Sequence, residues 1–198
     1  MAKVLVLKSS IMGDQSQTSR LVDVFLRERA EKGLQDEVII RDLAALNLPV
    51  LDAEIFHALR GAENVAAPIQ KIIQLSDELI AELKATDLLL IGAPMYNLNV
   101  PTQLKNWFDL VARARHTFRY TETYPQGLVE NVKAIVMTSR GGIHLGQVTD
   151  AVTPYLQSVL GLMGIHHVSF VYAEGLDIPA LKVDALKDAH LKAQQVAV

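Results

Sequence analysis

Three stretches of this chain collect residues that could hold a ligand, and their chemistry differs. The first, Ser9-Ser10-Ile11-Met12-Gly13-Asp14-Gln15-Ser16-Gln17-Thr18-Ser19, is crowded with hydroxyls around a single glycine. It is neither Gly-x-Gly-x-x-Gly nor a Walker loop. A phosphate bound here would rest on neutral Ser and Thr donors and on the free amides of a following helix, whose dipole favours an anion. That suits a monophosphate such as the tail of FMN, with the Asp14 carboxylate turned away; a polar turn with an ordinary hydroxyl helix cap has the same composition. In the second stretch, Ala93-Pro94-Met95-Tyr96-Asn97-Leu98-Asn99-Val100-Pro101, two prolines restrain the backbone and its neighbours. An isoalloxazine needs this combination of apolar side chains against its face and fixed amides or carbonyls at its polar edge, although Met95 and Tyr96 could equally be packing residues. The third, Ser139-Arg140-Gly141-Gly142-Ile143-His144, pairs two glycines. They allow backbone amides to approach a flavin closely, and a tight turn explains them as well. His144 reads either as a charge or proton partner of a reduced flavin or as a solvated loop residue.

Other chemistry finds little support. With no cysteine in the chain there is no disulfide framework, thiolate metal site or cysteine nucleophile. No His-Glu-x-x-His pattern or acidic metal cluster occurs, and strand alternation would send His166 and His167 to opposite faces, so no metal site is expected. Gly-x-Ser-x-Gly is absent, which removes the usual serine hydrolase reading. Arg113, Arg115 and Arg119 form a basic cluster that fits a solvated helix end, an interface or a nucleotide phosphate contact.

The elements that must position these loops are legible from apolar periodicity. Residues 3–9 read as a buried strand feeding the first loop, and Leu21, Val24 and Phe25 begin a helix that Gly33 stops. Val38-Ile39-Ile40 reads as a second strand, and an apolar stripe of open boundaries runs through 53–60. Ile69, Ile72, Ile73, Leu79, Ile80 and Leu83 recur at helical spacing before a third strand over 87–93. Pro101 suits the first turn of a helix burying Leu104, Trp107, Phe108 and Val111. A fourth strand over 134–138, a helix near 151–163, a strand near 167–173 and a helix from about Pro179 complete the pattern. Such alternation implies an α/β, doubly wound, five-stranded parallel sheet in the order 2-1-3-4-5, with helices on both faces. Ligands of such sheets bind beyond the carboxyl ends of the strands at the switch point, where all three loops lie.

Composition is consistent with a single domain over residues 1–198: half the 198 residues are apolar and 21% are charged. A net charge of -3 gives no attraction for nucleic acid or anionic membranes. No apolar run spans a bilayer, and the opening residues turn polar too soon for a signal peptide, so the expectation is a cytoplasmic protein.

Taken in order, Lys8-Ser9-Ser10, Ser16-Gln17, Arg41-Asp42-Leu43, Ser76-Asp77-Glu78-Leu79, Ala93-Pro94-Met95-Tyr96-Asn97, Gln103-Leu104-Lys105-Asn106, Phe108-Asp109-Leu110-Val111-Ala112-Arg113-Ala114, Thr117-Phe118-Arg119-Tyr120-Thr121-Glu122 and Ser139-Arg140-Gly141-Gly142-Ile143-His144 resemble the bacterial FMN-dependent NADH:quinone oxidoreductase and azoreductase family, nearly end to end. The resemblance implies a flavodoxin-like fold, tightly bound FMN and NADH or NADPH as hydride donor. It also implies quinones and aromatic azo compounds as acceptors, ping-pong turnover, and a homodimer with flavin sites at the subunit interface. By the same likeness Ser10, Ser16, Gln17 and Thr18 hold the phosphate, and Met95, Tyr96, Asn97 and Leu98 border the ring. Ser139, Arg140, Gly141, Gly142 and His144 line its far side, while Phe118, Tyr120 and Leu162 shape the substrate pocket. No residue is assigned as catalytic base. Thr18 stands where the family usually has serine, and Leu98 and Leu162 where an aromatic residue is common, which makes the substrate region less aromatic. The competing readings on this fold are a single-electron carrier and a ligand-binding module that has lost its flavin.

Overall fold

The computed structural model describes residues 1–198. In chain order the elements are β1 (Lys3–Lys8), α1 (Gln17–Glu31), β2 (Glu37–Asp42), α2 (Ala53–Leu59), α3 (Ala67–Lys84), β3 (Leu88–Gly92), α4 (Thr102–Val111), β4 (Phe118–Arg119), β5 (Gln126–Gly127), β6 (Lys133–Ser139), α5 (Val152–Met163), β7 (Val168–Ala173) and α6 (Pro179–Gln195). The main sheet is parallel and runs β2-β1-β3-β6-β7, which is the 2-1-3-4-5 order read from the alternation. Val4 to Leu7 of β1 and Leu89 to Ile91 of β3 are all buried, because strands covered on both faces have no solvent side to offer a polar residue.

Successive residues of β1 serve opposite cores. Leu5 and Leu7 join the side formed with α2, α3, α4 and α5, whereas Val4 and Val6 pack with Leu21, Val22 and Phe25 of α1 and with Ala189 and Ala193 of α6. In α4 Leu104, Trp107, Phe108 and Val111 form one helical stripe, and all four are buried, with Leu110 beside them. Trp107 meets Phe108 edge to face at 5.2 Å, and Phe108 meets Tyr155 of α5 at 6.0 Å. α5 stops at Gly164, whose φ of 103° is open to glycine and costly for most other residues.

Two details depart from the sequence reading. Pro101 caps α4 with extended backbone, φ −57° and ψ 144°, instead of lying in its first turn. The two-residue strands β4 and β5 pair antiparallel, Phe118 with Gly127 and Arg119 with Gln126, in a small hairpin apart from the main sheet. A strand of two residues has no period to read. The open stripe at 53–60 resolves into α2, capped by Asp52, whose Oδ1 accepts from the Ile55 amide at 2.8 Å; Ile55, Ala58 and Leu59 enter the chain's own core. No helix is long and apolar enough to cross a membrane.

Candidate cofactor site

Hydrogen bonds lace the loops at the carboxyl ends of β1, β3 and β6 into one rim. Ser9 Oγ donates to the Gly92 carbonyl at 2.7 Å, and the Ser10 and Tyr96 hydroxyls lie 3.0 Å apart, tying the first loop to the second. The Met95 amide donates to the Ser139 carbonyl at 2.9 Å and binds the second loop to the third. From there the Leu176 and Asp177 amides donate to the carbonyls of Arg140 at 3.1 Å and Gly141 at 3.0 Å, bringing in the β7–α6 connection. The rim borders an open cavity of ≈ 390 Å³, within the size range of small-molecule and cofactor pockets.

On the first loop, Ser10, Met12, Gln15, Ser16 and Gln17 border this cavity. Ser16 caps α1, its Oγ accepting from the Ser19 amide at 3.1 Å and lying 3.1 Å from Thr18 Oγ1. The amides of Gln17 and Thr18 belong to the first turn of α1, where no carbonyl of the helix can reach them, and no other group of the chain accepts from them. Hydroxyls, two free amides and the positive end of a helix make up a donor set for a phosphate, so the residues present fit a phosphate-bearing cofactor. The Thr18 side chain itself is buried against Gly92 and does not reach the cavity wall. Asp14 is exposed and also lies off the wall.

The second loop contributes Pro94, Met95 and Tyr96. It turns over Tyr96-Asn97-Leu98-Asn99, with Tyr96 and Asn99 exchanging both backbone bonds at 2.9 and 3.0 Å. Asn97 and Leu98 have φ of 49° and 67°, the two left-handed residues that a type I′ turn requires. Asparagine tolerates that geometry; for leucine it costs about 1–2 kcal/mol, strain that the paired backbone bonds hold in place. Asn97 borders a neighbouring cavity with Tyr96, and Leu98 is exposed beside it.

From the third loop Ser139, Arg140 and Gly141 reach the wall. The Arg140 side chain turns inward: it is fully buried, with ion pairs to Asp150 at 3.0 Å and Glu174 at 3.1 Å, a bond to Thr153 Oγ1 at 2.8 Å and the Tyr172 ring at 5.0 Å. Burial alone would raise the Asp150 carboxyl, but the Thr153 amide and hydroxyl and the Arg140 guanidinium together hold it below the usual carboxylate range. Glu174 also accepts from the amides of His144 and Leu145, so this buried network fixes the backbone of the loop. A side chain on Gly141 would collide with the Asp177 carboxylate, and one on Gly142 would press on the His144 ring. The glycine pair thus admits neighbours from the same chain to the loop. His144 Nδ1 lies 2.9 Å from Thr149 Oγ1, and neither Gly142 nor His144 borders the cavity itself.

Phe118 and Tyr120 stand elsewhere. Their rings meet edge to face at 5.5 Å, the Tyr120 hydroxyl accepts from Arg60 at 3.1 Å, and Tyr120 borders a separate cavity of ≈ 370 Å³ with Arg60, Ala114, Arg115 and Arg119. Leu162 is half-buried on α5 and lies on neither wall. The sequence reading missed Leu176, Asp177 and Lys182 on the wall of the rim cavity. The rule that ligands meet the carboxyl ends of strands in such sheets applies to β7 as well, and would have pointed to them.

With this geometry in view, comparison with known proteins is specific. The family model for the flavodoxin-like fold matches residues 2–197. The chain is 70% identical over 190 residues to FMN-dependent NADH:quinone oxidoreductase 4 of Burkholderia lata, covering 96% of each. It is 56% identical over 191 residues to the FMN-dependent NADH:quinone oxidoreductase of Escherichia coli K12, covering 96% of this chain and 95% of that one. Among solved structures, an azoreductase from Bacillus anthracis superposes with a TM-score of 0.91 at 25% identity, covering 100% of this chain and 99% of that one. A second Bacillus anthracis structure, an FMN-dependent NADH-azoreductase in complex with FMN, has the same fold, with a TM-score of 0.88 at 23% identity and coverage of 100% and 98%. Donor set, sheet order and near full-length identity agree: the chain belongs to the family of FMN-dependent NADH:quinone oxidoreductases on the flavodoxin-like fold.

Proposed function

We propose that this protein is an FMN-dependent oxidoreductase that takes hydride from NADH or NADPH and passes it to quinones and aromatic azo compounds in a ping-pong cycle. The observation that carries this reading is the phosphate-type donor set of Ser10, Ser16 and Gln17 on a cavity also walled by Met95, Tyr96 and Ser139, with the free amide of Thr18 next along the first turn of α1. When bound, FMN supplies the two-electron chemistry, accepting hydride from the nicotinamide and yielding it to the acceptor.

The chain's own part is to bind, orient and exclude water. Ser10, Ser16, Gln17 and Thr18 hold the phosphate, Thr18 through its amide. Met95, Tyr96, Asn97 and Leu98 border the ring, their backbone fixed by the turn. Ser139, Arg140 and Gly141 form the far side, with Gly142 and His144 behind them, and Arg140 anchors the loop through Asp150 and Glu174. Holding a donor and then an acceptor against one ring face gives the rate advantage of fixed orientation, and no protein base is needed for hydride movement.

The working unit in this reading is a homodimer. Ile11, Met12, Leu98, Ile143, Leu145 and Val148 are exposed apolar side chains on or beside the three loops, and covering them with a second copy would remove apolar surface from water. A second copy seated there would roof the cavity and supply Phe118, Tyr120 and Leu162 to the substrate pocket. The apolar stripe at 53–60 takes no part in that contact, because Ile55, Ala58 and Leu59 pack inside their own chain.

The test is spectroscopic and kinetic. Purified protein should carry or take up FMN with a flavin absorption spectrum, and should oxidise NADH steadily with a quinone and no added reductase. Double-reciprocal plots should be parallel. A colourless protein that rejects FMN would overturn the reading; a flavoprotein that turns over only with a partner reductase would be an electron carrier.

A further inference from the structure

Two cationic side chains border the cofactor cavity, and their circumstances differ. Arg140 spends its guanidinium on Asp150, Glu174 and Thr153 in the interior. Lys182 borders the cavity with Ser16 and Gln17, and its ammonium has no ion pair and no hydrogen bond within the chain, unlike those of Lys8, Lys32 and Lys105. It lies one turn into α6, near the positive end of that helix, and the first turn of α6 holds no acidic residue. A cation at a helix start is disfavoured by the dipole. The one acid on the wall, Asp177, rests against Gly141 and does not pair with Lys182. The rest of the phosphate donor set is neutral, so a dianionic ligand has no full charge to meet it except here.

We infer that Lys182 is a further cofactor-binding residue, supplying the positive charge that balances the phosphate of FMN. The inference rests on the FMN reading above and adds to it a contact from the β7–α6 side. Exposed on α6, Lys182 acts through a screened interaction, so its effect depends on ionic strength.

The experiment titrates full-length protein stripped of flavin with FMN and with riboflavin, at low and high salt, following flavin fluorescence. Wild type is compared with Lys182→Gln and Lys182→Arg. At low salt K182Q should bind FMN about three- to tenfold more weakly, between an exposed ion pair and a charge-assisted hydrogen bond. K182R should remain close to wild type, the K182Q deficit should shrink at high salt, and riboflavin affinity and apoprotein melting should be unchanged. If wild type binds FMN and K182Q binds it equally well at low salt, or loses FMN and riboflavin alike, Lys182 is not the phosphate's counter-charge and the cofactor reading stands without it. If wild type itself fails to bind FMN, both fall together.

Discussion

Ser16 illustrates how one hydroxyl serves fold and ligand together. A serine hydroxyl has one hydrogen to donate and two lone pairs; Ser16 Oγ uses a lone pair on the Ser19 amide, and Thr18 Oγ1 lies within reach of its hydrogen. Rotation of that hydrogen toward a phosphate oxygen leaves the helix cap intact. Ser16→Ala should therefore have two separable effects. Loss of the cap should destabilise the apoprotein by about 1 kcal/mol, read as a drop of about 2–4 °C in its melting point. Loss of the phosphate bond should weaken FMN by about ten- to hundred-fold while sparing riboflavin. A lower melting point with unchanged FMN affinity would make Ser16 a cap alone. In the sequence, the hydroxyl-rich loop after the first buried strand served a helix cap and a phosphate equally well, and Ser10, Ser16 and Gln17 were singled out by the family resemblance of their motif. Lys182 was invisible: nothing local distinguishes it from Lys187 or Lys192 on the same helix. Its meaning comes from where the β7–α6 connection lands, a tertiary fact. Arg140 was legible as a site residue but not in its role, since the burial of its guanidinium depends on Asp150 and Glu174, ten and more residues away.

At the scale of elements, strands and helices with a strong period were readable, and the hairpin was not. β1, β3 and β6 announce themselves as apolar runs ending in small or hydroxyl residues, whereas Asp52 as the cap of α2 was a signal present and unused. β4 and β5 owe their position to packing. Gly127 of β5 lies directly against the backbone of Gly164 at the end of α5, and the Val129 amide donates to the Met163 carbonyl at 2.9 Å. A methyl group on Gly127 would run into backbone atoms of Met163 and Gly164, which cannot swing aside as a side chain tip can. Gly127→Ala should thus destabilise the fold by about 1–3 kcal/mol or displace the hairpin. Because Phe118 pairs with Gly127, a displaced hairpin also moves the segment assigned to the substrate. Thermal melting checks the first effect, and the balance of KM against FMN affinity checks the second: KM for the quinone should rise while FMN binding holds. Unchanged melting and KM together would show that the close contact carries no weight.

For the whole molecule, the order of the sheet followed from the alternation of strand and helix because right-handed crossovers leave few other ways to bury both faces. What a lone sequence hides is the surface the fold leaves uncovered. A 21.8 kDa monomer is expected to expose about 9,300 Å², and this chain exposes 10708 Å². Among the exposed apolar side chains are Ile11, Leu98, Ile143 and Leu145, on or beside the loops that form the rim. A second copy seated on that side would cover these apolar side chains and exclude water from a ring held there, so closure by a second copy is the expected arrangement. Sedimentation of the holoprotein should give twice the chain mass, and Val148→Lys, a change at a fully exposed position, should weaken association without lowering the melting point of the dissociated chain. Activity should fall with dilution in that variant and recover on concentration, because the substrate residues Phe118 and Tyr120 would arrive with the partner. An active monomer at every concentration would remove the shared site and leave Phe118 and Tyr120 to the separate Arg60 cavity.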